Sequence, residues 1–211
     1  MPRPLPRLDL AFAANAAASL GLVRRIEAAR VAGRRGDQNR ISLTDVELAY
    51  ELAFLRVFTA WEALLEDVFL RLMCGYERSG VAETLVGGAA PHRTLALAEA
   101  AMLHGQQYVL WHNPARVVQR AQSTLINGNF QQVIQSAQAR LGQLAAVRHR
   151  IAHEQHDASV QFNSVSMAIA GKRYKASRPG RFLRDVSSNP PDRWIDALTA
   201  ELRSLATQLC T

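Results

Sequence analysis

The strongest pattern along the chain is an apolar repeat with helical spacing that begins after Ser42 and ends before Gly75. Residues 42–45 offer N-terminal caps, and Glu47 follows Thr44 at the spacing of a capping box. The apolar positions of the repeat are Tyr50, Phe54, Val57, Phe58, Trp61, Leu64, Leu65, Val68, Phe69 and Leu72. The repeat predicts one helix of roughly 45 Å at about 1.5 Å per residue, a length typical of a helical bundle.

Weaker repeats predict further helices on both sides of this one. The predicted ranges are 9–32 with Asp9 as cap, 94–104, 114–126 with Asn113 as cap, 130–155 with Gly142 as a weak point, and an amphipathic C-terminal helix over 191–210. Prolines keep residues 2–7 out of a helix, and polar or glycine-bearing stretches predict breaks at 33–40, 75–92 and 127–129. We read the alanine-rich N-terminus as a helix and not as a signal peptide.

Residues 159–188 carry a different pattern. Their apolar residues roughly alternate with polar ones at Val160, Phe162, Val165, Met167 and Ile169. This alternation predicts a small β-hairpin or an extended loop. The predicted fold class is therefore all-α: a single domain over 1–211 with four main helices, extra helices and a small appendage at 159–188. Its core comprises about 43–156 and the C-terminal helix.

The second half of this appendage is strongly basic. Its cations are Lys172, Arg173, Lys175, Arg178, Arg181 and Arg184, with no acidic residue between 172 and 184. Tyr174 and Phe182 are interleaved, and aromatic rings can stack on unpaired bases. We predict that Lys172, Arg173, Lys175 and Arg178 bind RNA phosphates; the alternative is a solvated loop.

Composition and charge limit the classes of partner that the chain can have. The chain has a net charge of +7, and all its basic residues except Lys172 and Lys175 are arginines. Arginine grips phosphates with a planar fork, so a nucleic-acid partner is permitted, although an arginine-rich proteome gives the same balance. Cys74 and Cys210 are too few and too distant for a disulfide framework or a zinc motif. With no apolar run long enough to cross a bilayer, we expect a cytoplasmic protein without a membrane partner.

The helix predicted over 130–155 contains an arginine in its apolar stripe. Arg148 lies about 40° around the helix from Leu144, beside Val147 and Ile151. A guanidinium there is costly unless it meets a counter-charge or a polar cleft, or unless its stem packs while its head reaches water.

Two glutamates of the long helix are candidate partners of this arginine. Glu51 and Glu62 flank the apolar stripe at about 60–80° from Phe54, and either could orient Arg148 across a bundle. The alternative is that both face water at the boundary of the stripe. His153 lies about 140° from Arg148 on a regular helix, so the helix ends near Ala152 or two subunits each contribute one motif.

Residues 147–154, Val-Arg-His-Arg-Ile-Ala-His-Glu, resemble the signature of the HEPN superfamily. That signature is an arginine, usually followed by a polar residue, and a histidine four to six residues later. Here Arg148 and His153 fill the fixed places and His149 the polar one, where asparagine is common. The segment 54–66 also resembles the long first helix of that family.

This resemblance implies a function. HEPN nucleases are dimers in which two motifs line one cleft and cleave RNA without a metal or cofactor. The 2′-hydroxyl attacks the phosphate, leaving a 2′,3′-cyclic phosphate and a 5′-hydroxyl. The resemblance implies catalytic roles for Arg148, His149 and His153. It also implies a toxin or phage-defence effector with RNA, a second copy and an antitoxin or defence partner. One subgroup carries a regulatory tyrosine where this chain has Gln155, so that regulation is not expected here.

Two other readings stay open. His149, His153 and His156 share a helix face near Glu154 and Asp157, a spacing that can hold a metal, although no HExxH motif is present. The chain could also be a catalytically silent dimerisation or RNA-binding module. Phosphate-binding loops, dinucleotide fingerprints and nucleophile elbows are absent from the sequence.

Overall fold

The computed structural model describes residues 3–33, 40–126, 128–187 and 191–211. Most of these residues are helical, which confirms the all-α fold class. The helices found within these ranges are α1 (Leu8–Ala32), α2 (Leu43–Met73), α3 (Leu95–Leu103), α4 (Pro114–Thr124), α5 (Asn129–Ser136), α6 (Gln138–Ala152), α7 (His156–Ala170), α8 (Pro179–Arg184) and α9 (Trp194–Cys210). Short 3₁₀ turns occupy Val86–Gly88 and Lys175–Ser177.

A small sheet accompanies the helices. Its strands are β1 (Arg3–Pro4), β2 (Tyr76–Arg78) and β3 (Val81–Ala82). Strand β2 pairs in parallel with β1 and antiparallel with β3. The sequence predicted only a loop at 75–92, since strands of two or three residues are too short to show alternation.

The chain divides into two compact units. The first contains residues 1–12, 61–142 and 203–211, and the second contains 13–60 and 143–202. The first unit has an aromatic core in which Phe69 contacts both Trp111 and Phe130, with ring centroids 5.7 and 5.3 Å apart. In the second unit, Phe54 and Phe58 of α2 are buried, as the apolar repeat predicts.

The predicted β-hairpin or extended loop at 159–188 is wrong for its first half. Residues 156–170 form helix α7, whose buried positions are Ala158, Phe162 and Ser166, each four apart. Two of these three core positions carry small side chains, so the helical repeat has little hydrophobic signal. Val160 and Met167, which made the sequence look alternating, are exposed. Only residues 171–178 form a basic loop, and α8 follows it.

Helix boundaries differ from the predictions in two places. The stretch predicted as one helix over 130–155 is divided at Ala137, between α5 and α6, and Gly142 lies inside α6. The capping box of α2 uses Ser42 and Asp45, whose side chains each accept a bond from the other's backbone N–H. Asp9 lies inside the first turn of α1 and pairs with Arg7.

Other predicted boundaries are close to the observed ones. The side chain of Asn113 caps α4 as predicted, and that of Thr94, predicted only as the start of a helix, caps α3. Of the predicted leader and breaks, residues 1–2, 34–39 and 127 lie outside the described residues, as do residues 188–190 between α8 and α9.

Candidate functional site

The predicted catalytic residues occupy the C-terminal end of α6. This helix ends at Ala152, but the backbone N–H of His153 still donates to the carbonyl of His149 at 2.9 Å. The helical turn therefore continues to His153 and brings the two imidazoles together, with their planes tilted by 51°. Their ring centroids lie 4.7 Å apart, with His153 exposed and His149 half-buried. The structure thus brings together two of the three predicted catalytic side chains.

The electrostatics of this pair favour a neutral His149. Burial lowers the pKa of His149, and the nearby charges of His153 and Arg148 lower it further. A histidine with a lowered pKa is mainly neutral at neutral pH and can accept a proton. The charge of half-buried Arg148 is thus close enough to act on His149.

Arg150, one position after His149, fixes the end of the helix. Its Nη1 donates to the carbonyl of His153 at 3.0 Å, and its Nε donates to the carbonyl of Ser177 at 3.2 Å. The Ser177 hydroxyl also bonds Asn163 Oδ1 of α7. One guanidinium therefore ties the histidine pair to the basic loop 171–178.

Glu51 has a different observed role from the one predicted. Its Oε1 accepts the backbone N–H of Gly180 at 2.8 Å, so it holds the first turn of α8. Burial raises the pKa of Glu51, against the opposing effects of the Gly180 bond and of Arg150 and Arg178. The Glu51 carboxylate of α2 thus anchors the start of α8, the segment that follows the basic loop.

Glu62, the other predicted partner of Arg148, belongs to the first unit, whereas Arg148 belongs to the second. An ion pair between these two residues stays a prediction. Within the second unit, the motif contributes Arg148, Arg150 and the histidine pair to the candidate site.

The alternative metal site is not formed. Within the described ranges, no group of three or more histidine, cysteine or acidic side chains is arranged to hold a metal ion. The physical reason is the extended backbone of Gln155, which separates α6 from α7. His156 begins a new helix, so it does not continue the face of His149 and His153.

The basic loop is less positive than its sequence indicates, because acidic residues from elsewhere in the second unit reach it. Lys172 pairs with Asp185 at 2.5 Å, and Arg178 pairs with Glu47 at 3.4 Å. Beyond the loop, Arg184 of α8 lies 3.8 Å from Glu27. Arg173 and Lys175 are exposed and have no ion pair among the described residues. They are the better candidates for phosphate contacts.

The proposed base-stacking aromatics are wrong. Tyr174 and Phe182 are both buried, with 6% and 0% of their surfaces exposed. Phe182 packs against Phe162, Tyr174 and Trp194, with ring centroids 5.5 to 5.9 Å apart. These rings anchor the loop and α8 to the second unit, so they are not available to RNA bases.

Sequence reasoning missed Arg150, Glu47 and the capping role of Glu51. Arg150 lies inside the motif at 147–154, but nothing in a sequence says which carbonyls a guanidinium will reach. The sequence indicates only a capping role for Glu47, whereas in the structure this carboxylate is just 6% exposed, a low value for its type.

No helix in the described ranges is long and apolar enough to span a membrane.

Fold and site together define an all-α protein with an arginine and a histidine pair at one helix end. Family models, curated proteins and solved structures were compared with the chain, and none of them matches it.

Proposed function

We propose that this chain is a HEPN-like, metal-independent endoribonuclease that cleaves RNA with Arg148, His149 and His153. The observation that carries the proposal is the pair of imidazoles 4.7 Å apart, one exposed and one half-buried, beside an arginine. RNA supplies its own nucleophile, so a proton acceptor, a proton donor and a cation suffice for cleavage.

The residues have distinct roles in the proposed reaction. Neutral His149 accepts the proton of the 2′-hydroxyl as its oxygen attacks phosphorus. His153, which solvent and substrate can reach, donates a proton to the 5′-oxygen as the bond to phosphorus breaks. Arg148 stabilises the charge that develops on the phosphate oxygens. The products are a 2′,3′-cyclic phosphate and a 5′-hydroxyl, as in the proteins that the motif resembles.

The direct test is incubation of the purified protein with structured RNA in the presence of EDTA. We expect cleavage that EDTA leaves intact, with a cyclic phosphate at each new 3′ end. Loss of cleavage in EDTA, with recovery on adding a divalent metal, would contradict the proposal. A folded protein that cleaves no RNA would favour the silent dimerisation or RNA-binding module.

The proposed active form is a homodimer. On a regular helix Arg148 and His153 are about 140° apart, so one copy does not easily aim both at one phosphate. Two copies related by a two-fold axis supply a second motif on the facing side. Helix α7, next in the chain, exposes Val160 and Met167, which are seven residues apart on one face and suit such an interface.

Mixing inactive subunits should restore activity if the site is composite. A 1:1 mixture of Arg148→Ala and His153→Ala proteins should regain up to about a quarter to a half of wild-type cleavage, because about half of the dimers are mixed and each mixed dimer holds one intact set of side chains. The measurement is initial cleavage rate against mixing ratio, with each variant alone as control. A fully active monomer by light scattering at micromolar concentration would contradict the dimer.

The basic loop is the proposed RNA-binding segment, and the cations without a carboxylate partner should contribute most to RNA binding. Neutralising Arg173 and Lys175 should reduce the slope of log binding constant against log salt by roughly 0.7 for each lost phosphate contact to a single strand. Neutralising Lys172 and Arg178 should reduce it less, because each already has a carboxylate partner. Cleavage at saturating RNA should change little. Equal slopes for wild type and both double variants would remove the loop from the RNA path.

The biological setting that fits this activity is the cytoplasm, where a toxin or phage-defence effector would meet RNA and be held in check by an antitoxin or defence partner. Both cysteines are unpaired and buried, as expected in a reducing compartment.

A further inference from the structure

The first unit contains a cavity of about 870 Å³, separate from the histidine pair in its residues and in its unit. Its volume is in the range of small-molecule pockets. Met73, Leu85, Met102 and Leu110 form much of its apolar wall. The lining also includes polar and basic side chains, and it contains no aspartate or glutamate.

Arg120 of α4 is the unusual member of the lining. Its guanidinium carbon lies 4.7 Å from the centre of the Trp111 ring, so it is stacked on an aromatic face. Its Nη1 is buried and has no hydrogen-bond partner within the described part of the chain. Burial lowers the pKa of Arg120 despite the charge of Glu66 nearby. The side chain stays cationic, because arginine starts from a pKa far above neutrality.

A buried, unbonded guanidinium N–H is costly to a folded protein, and a charged donor costs more than a neutral one. The neighbouring Trp111 Nε1 is likewise buried with no bond to any described residue. Of these two residues, Arg120 belongs to the lining of the cavity. Arg116, His92 and His104 also line it, so the surroundings favour an anion.

We propose that this cavity binds a small acid with an oxyanion head and an apolar body. The head accepts hydrogen bonds from Arg120, whose planar fork suits the paired oxygens of a carboxylate or phosphate. The body lies against the wall formed by Met73, Leu85, Met102 and Leu110. Stacking on Trp111 holds the guanidinium in place before the ligand arrives, which reduces the entropy lost on binding.

The test uses octanoate and octyl phosphate as probes, below the concentrations at which they form micelles. Octanol lacks the charge, and acetate and inorganic phosphate lack the body. We expect saturable binding with one ligand per chain by isothermal titration calorimetry for at least one eight-carbon acid. Octanol should bind at least about 10-fold more weakly, since a hydrogen bond to a charged group contributes that much. Acetate and inorganic phosphate should also bind at least about 10-fold more weakly, because they lose the burial of the apolar body. Whichever of octanoate and octyl phosphate binds more tightly shows whether the cavity favours a carboxylate or a phosphate head group.

Matched variants locate the site. Arg120→Gln should weaken acid binding by at least about 10-fold, the size of one charged hydrogen bond. Arg116→Gln makes the same charge change in the same cavity, but Arg116 is exposed and bonds Gln119, so we expect less than a 3-fold effect. Ala101→Phe adds bulk at a half-buried lining position and should weaken binding without changing the charge.

Three results would overturn the proposal. One is no binding of either acid at millimolar concentration by a folded wild-type protein. The second is an equal loss in Arg120→Gln and Arg116→Gln, which would indicate general attraction between charges. The third is unaltered binding in Ala101→Phe, which would place the ligand elsewhere. Circular dichroism checks the fold of each variant, and none of these measurements depends on RNA cleavage.

Discussion

Replacing Arg148 or His153 by alanine should each lower RNA cleavage by about 100-fold or more, the usual size of a general acid–base contribution. His153 is exposed and Arg148 half-buried, so neither substitution opens a cavity in the core. The fold should therefore survive both changes. The measurement is the single-turnover cleavage rate of a structured RNA in EDTA, with helical content followed by circular dichroism.

His156→Ala is the matched control for this prediction. It removes an exposed imidazole three residues after His153, at the start of α7 and outside the histidine pair. We expect less than a 3-fold change in rate, since no acid–base step uses this residue. Cleavage that persists in both Arg148→Ala and His153→Ala would rule out the proposed mechanism, and an equal loss in His156→Ala would indicate a general effect of histidine removal.

Replacing Gly180 by alanine should lower the free energy of unfolding by roughly 3 kcal/mol or more, at the upper end of overpacking effects. A Cβ at this position would lie closer than any real contact to the backbone carbonyl of Glu47, which belongs to helix α2 and cannot swing aside. The same residue donates its N–H to Glu51. Displacing it would also withdraw Phe182 and Leu183, both fully buried, from the second unit.

Gly142→Ala is the control for this change. Gly142 lies inside α6, and nothing lies within 4 Å of an added Cβ. Alanine there should leave stability unchanged or raise it by up to about 1 kcal/mol, because alanine favours helix more than glycine does. Denaturant unfolding of both variants measures the difference. A Gly180→Ala protein as stable as wild type would mean that α8 does not pack tightly against α2.

The sequence predicted the long helix α2 well because its core positions carry large apolar residues. Tyr50, Phe54 and Trp61 are buried, and a repeat of this strength indicates which face of the helix packs into the core. The caps Thr94 and Asn113 were also predictable, because a side chain that accepts a bond from a helix N-terminus acts within four residues.

Helix α7 was not predictable by the same reasoning. Ala158 and Ser166 are completely buried, yet neither residue marks a core position in a hydrophobic pattern. The exposed Val160 and Met167 gave the misleading alternation. The periodicity of a sequence reports side-chain size and polarity, whereas burial depends on which neighbours pack against the helix.

For the candidate site, the sequence by itself determined that Arg148, His149 and His153 lie within two turns of one helix. It also determined that His149 and His153 are neighbours, because residues four apart share a helix face. These relations are local, and local geometry follows from the helical repeat.

Only the tertiary structure decided which groups surround these residues. It formed the ion pairs of Asp185 with Lys172 and of Glu47 with Arg178, and the hydrogen bond from the Gly180 N–H to Glu51. It also buried Tyr174 and Phe182. Glu47 and Arg178 are 131 residues apart in sequence, and no pattern within a short window encodes such a pair. Three of the six cations thus lie beside carboxylates, and Arg173, Lys175 and Arg181 are exposed without an ion pair among the described residues. Charge and packing depend on contacts between distant segments, which exist only once the chain has folded.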